Sequence, residues 1–189
     1  MSLHDIRAKY PMEDVQVDEA VKTLITDETV LFLTQLGVPK LEPSFRFKAF
    51  NQKLGMENIR EFRGVRYIVL CEGRFSDICL TEGKNEVVFV PHAVNPDVQS
   101  HDENITYINK DYKAYITCLV IFRSSMEEFI KIRKQIETSS TQVELDAGYA
   151  KLNNFFDKLE EQLALIDQLA IVGQDSWWSN NLADLRENY

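Results

Sequence analysis

The chain carries 189 residues, 44% of them apolar and 11% aromatic, enough to bury a sizeable core in one domain with an appended helical part. Seven Gly and five Pro are too few for a linker-dominated or low-complexity chain. The net charge of −9 excludes nucleic acid as the expected partner, because phosphates demand cations.

Charge is unevenly distributed: residues 40–74 sum to +4, 75–109 to −5 and 137–189 to −7. The acidic stretches suit a basic protein partner through complementary fields. Arg60, Arg63, Arg66 and Arg74 make the basic stretch, an ordinary feature of an edge strand. Cys71, Cys79 and Cys118 form no disulfide framework, and Cys71 and Cys118 lie in apolar runs. A reducing cytoplasm is therefore expected. Residues 1–7 contain no apolar run of the signal-peptide kind, and the longest apolar block, Ile116 to Phe122, is too short to span a bilayer. No membrane association is expected.

In chain order, residues 1–12 read as a flexible lead-in and 13–36 as helix, ended by Gly37-Val38-Pro39. Phe45, Phe47 and Ala49 alternate with Arg46 and Lys48, which predicts a strand over 44–50. Strands follow at 65–71, 77–80 and 86–90, with Glu82-Gly83-Lys84-Asn85 as a hairpin turn. Residues 91–103 are polar and read as an exposed loop, and 105–109 as the last strand.

From Asp111 the period changes to that of a helix, with Tyr115, Leu119, Phe122, Met126 and Phe129 on one face. Thr141 and Glu144 form a capping-box pattern before a helix reaching about Ile171. Its apolar residues, Leu145, Tyr149, Leu152, Phe156, Leu159, Leu163, Ile166 and Ala170, make a heptad seam. That seam allows a weak homodimer. Packing within a monomer is the stronger expectation, with Phe155, Leu165 and Leu169 widening the stripe toward the core. A final helix carries Trp177, Trp178, Leu182 and Leu185. A helical start, a run of strands and closing helices predict an α+β fold: a mainly antiparallel sheet of four to six strands flanked by N-terminal and C-terminal helices.

Known catalytic signatures are missing. No two glycines are closer than nine residues, which leaves no G-x-G-x-x-G and no P-loop. The chain has no H-E-x-x-H, C-x-x-C or G-x-S-x-G. His92 and His101, with Asp97, Asp102 and Glu103, are donors of the kind that bind a divalent metal, but loop spacing fixes no geometry. No metal, no cofactor and no catalytic residue is expected. Trp177-Trp178 reads as a lid with one ring partly exposed, and Trp177 is kept as a candidate contact because Trp is enriched at interface centres.

Several residues in order resemble the SUKH (SMI1/KNR4-like) superfamily, most closely its fourth group. Phe32-Leu33-Thr34-Gln35-Leu36-Gly37-Val38-Pro39 is similar to the family's "FL..LGLP" helix end. Ile78-Cys79-Leu80 stands where it has an "ICL"-type strand, and Tyr107-Ile108-Asn109 where it has a "fvN" step into a helix. Leu165-Ile166-Asp167 and Ser176-Trp177-Trp178 look like its "iDp…FW" ending, with Gln168 in place of Pro. The resemblance covers about residues 28–186 and implies a single domain over 1–189, with 142–189 as a helical part packed on the sheet.

It also implies a bacterial immunity protein that binds and neutralises a cognate toxin, nucleases among them, of a polymorphic or contact-dependent system. The alternative is a non-enzymatic regulatory scaffold of cell-wall synthesis. A third class is a sensor or enzyme with a pocket behind Trp177-Trp178. Candidate contacts for a basic toxin are Glu72, Asp77, Glu82 and Glu86 on the hairpin, Asp97, Asp102 and Glu103 on the loop, and Trp177.

Overall fold

The computed structural model of the protein describes residues 3–39, 41–42, 47–49, 53–73, 76–92, 104–172 and 176–188. They fall into two compact units, Met1–Ile116 and Thr117–Tyr189. The boundary lies within a long helix, well before residue 142.

The first unit begins with helix α1 (Leu3–Lys9), strands β1 (Met12–Glu13) and β2 (Gln16–Val17), and helices α2 (Glu19–Lys22) and α3 (Asp27–Leu36). The expected flexible lead-in is instead a docked helix. Ile6 is fully buried, and the Arg7 guanidinium donates to the Gln35 carbonyl at the end of α3 at 3.0 Å. The expected helix over 13–36 starts only at Glu19. Val15 and Val17 are buried between exposed Asp14 and Gln16, a period of two that favours extended chain.

Short strands β3 (Val38–Pro39), β4 (Leu41–Glu42), β5 (Phe47–Ala49) and β6 (Lys53–Leu54) follow. After a 3-10 turn at Met56–Asn58 come β7 (Ile59–Phe62), β8 (Val65–Glu72), β9 (Ser76–Thr81), β10 (Val87–Pro91) and β11 (Thr106–Asn109). The main sheet has the order β11-β10-β9-β8-β5-β4, with β7 also paired to β8, and its pairs are antiparallel. The fold is thus α+β, as expected. Among the described residues the sheet gains β4 and β7 over the five strands predicted. β1 pairs with β3 antiparallel, and β2 with β6 parallel.

Residues Tyr67 to Cys71 on β8 are buried without alternation, as are Ser76 to Thr81 on β9, so apolar chains fill both faces at the sheet centre. Tyr67, Val69, Cys79, Val88 and Val90 form one of these clusters, with Phe62 and Ile105 against it. Gly37 ends α3 with φ +83, and a Cβ there would lie 2.0 Å from the Glu13 carbonyl oxygen. Only glycine fits this junction. The Tyr112 hydroxyl donates to the Gly37 carbonyl, tying the end of α3 to the start of helix α4 (Tyr112–Thr138).

The second unit takes α4 from Thr117 onward and adds α5 (Gln142–Ile166), α6 (Leu169–Val172) and α7 (Trp177–Glu187). The predicted capping box is formed: the Thr141 hydroxyl accepts from the Glu144 N–H, and the Glu144 carboxylate accepts from the Thr141 N–H at 3.1 Å. Leu152, Phe155, Phe156, Leu159 and Leu163 are buried on α5. Phe129 meets Phe155 and Phe156 with ring centroids 5.9 Å apart in each case. Gly148 lets Ile136 approach closely; a Cβ would sit 2.6 Å from its side chain. The helix expected to reach Ile171 breaks at Asp167, which turns extended and whose carbonyl accepts the N–H of Ala170 as α6 begins. Among the described residues no helix is long and apolar enough to cross a membrane.

Candidate functional site

The strand pairing of β7, β8, β9 and β10 decides where the predicted acidic contacts stand. Asp77 opens β9 opposite Glu72 of β8 and Val90 of β10. Its side chain is only 2% exposed and serves as an internal anchor, which corrects the expectation of a partner contact. Its Oδ2 accepts from the Arg60 guanidinium at 2.5 Å, and its Oδ1 meets His92 Nε2 at 2.9 Å and the Gly73 N–H at 3.4 Å. The same Arg60 also donates to Glu72 at 2.8 Å. One buried carboxylate thereby holds the end of β8, the start of β9 and the residue following β10. A buried charge is stable only when paired in this way.

Glu82 accepts two bonds from the Arg66 guanidinium, one of them at 2.8 Å, and this contact raises the Arg66 pKa above its ordinary value. Two of the four predicted hairpin contacts, Glu72 and Glu82, are therefore already neutralised by arginines of the preceding basic stretch. Glu86 is half-buried, and its carbonyl accepts the Thr81 N–H in the turn. The segments of +4 and −5 seen in the sequence partly cancel through strand pairing. Asp97, Asp102 and Glu103 lie outside the described residues, as does His101.

Trp177 is 8% exposed and Trp178 fully buried, their rings edge-on with centroids 4.7 Å apart, and Trp178 meets Phe122 at 5.6 Å. The pair is core packing in the second unit; neither ring offers a contact surface, and the apolar setting gives no support to a polar pocket behind it. Ser176 caps α7 by accepting the Ser179 N–H at 3.1 Å, which is why the two indoles occupy its first turn. The cysteines are all buried, and burial pushes the Cys79 thiol well above its usual pKa. Among the described residues no group of three or more His, Cys, Asp or Glu is placed to hold a metal ion.

A surface that the sequence did not single out lies at the α5–α6 junction. Leu165 is 86% exposed, Leu169 66% and Val172 67%. Leu165 and Leu169 were expected to widen the core-facing stripe. The predicted seam is buried at Phe156, Leu159, Leu163 and Ala170, while Leu165 before the break at Asp167 and Leu169 after it face outward. Glu161, one turn before Leu165, is exposed, and nearby Arg186 is occupied by Asp157 at 3.0 Å and Glu160 at 3.2 Å. Three exposed aliphatic residues within eight positions of the chain make a candidate protein-contact surface. No protein-family model matches the chain, and no curated protein or solved structure matches it at a significant level.

Proposed function

We propose that this chain is a cytoplasmic protein-binding domain of the SUKH type, an immunity protein that neutralises a cognate toxin by direct, non-enzymatic binding. The observation that carries this reading is the exposed trio Leu165, Leu169 and Val172 within a segment, 137–189, of net charge −7. A basic toxin surface is drawn by the acidic field and held by the aliphatic centre, a division of labour that speeds encounter and slows release. Further support comes from the residues behind the family resemblance, which do structural work. Gly37 makes the α3 junction, Asn109 is fully buried at the end of β11, and Trp178 is core. A scaffold of this kind leaves its recognition surface free to differ from one partner to the next.

The test is co-expression with the product of the neighbouring gene, which this reading requires to be a toxin. A stable complex and loss of toxicity are expected, and a Leu165→Asp/Leu169→Asp variant of unchanged melting temperature should lose protection. Undiminished toxicity in the presence of the folded chain would sink the reading.

A further inference from the structure

We draw no further inference here: the strongest candidate, the hollow between α4 and α5 lined by Glu128, Ile132, Lys151, Phe155 and Lys158, is a surface cleft of mixed charge, and among the described residues no buried polar group without a partner lines it to say what it would bind.

Discussion

Asp77→Asn removes the charge from the buried carboxylate on which Arg60 and His92 converge, with almost no change in volume. The Arg60 contact at 2.5 Å is charge-assisted, a class of bond worth about 1.5–3 kcal/mol. The His92 contact at 2.9 Å contributes about 1 kcal/mol more, and the Gly73 contact at 3.4 Å little. Arg60 is 44% exposed and retains Glu72, so water recovers part of the loss. The expected destabilisation is about 3 kcal/mol, at the low end for breaking a buried pair. In a protein of this size that lowers the melting temperature by about 6–12 °C. Urea unfolding, read with amide exchange of Ile78 to Leu80, places the effect in the sheet. Glu82→Gln, at the more exposed pair with Arg66, should cost only about 0.2–1 kcal/mol. An Asp77→Asn protein within about 0.5 kcal/mol of the parent would refute the assignment of Asp77 as an internal anchor.

Gly37→Ala must place a Cβ 2.0 Å from the Glu13 carbonyl oxygen at φ +83, and about 3 kcal/mol or more of stability should be lost on thermal denaturation. Hydrogen bonds from the Ser140 backbone first, and from Thr141, hold the Glu144 carboxyl below its ordinary value of 4.5. Its contribution is complete above pH 4.5 and fades as pH falls through the lower folded-state value, so amide exchange in the first turn of α5 should quicken below 4.5. Glu144→Gln should abolish that acid step. Leu165→Asp/Leu169→Asp should change stability by under about 0.5 kcal/mol, because both side chains are exposed, yet weaken binding of the proposed toxin partner at least about tenfold by calorimetry.

Elements with a clean period were legible in the chain itself. β8 through β11, the α4 start and the Thr141–Glu144 cap stand where the spacing predicts them, since local chemistry alone specifies each. β7, written Ile59-Arg60-Glu61-Phe62, is rich in charge and was passed over, because what makes it a strand is pairing with β8. The same dependence on partners hid the role of Asp77: nothing local distinguishes a carboxylate that anchors from one that faces solvent. Leu165 and Leu169 misled for another reason: they flank the heptad seam, which is buried at Leu163 and Ala170, and apolar character alone does not say how wide the buried stripe is. Lys84 comes to line one hollow with Lys110 and Lys113 only through the placement of the β9–β10 turn beside the start of α4, which no local pattern announces.

The Tyr112–Gly37 bond joins residues 75 positions apart, and every strand of the main sheet lies in the chain between them. Closing so long a loop before those strands pair would cost entropy that no contact yet returns. The latch therefore forms late, after the sheet has drawn its two ends together, and the start of α4 is secured only then. A growing chain released before Tyr112 has been added lacks this closure, so the sheet's final locking waits on a helix that is made after it.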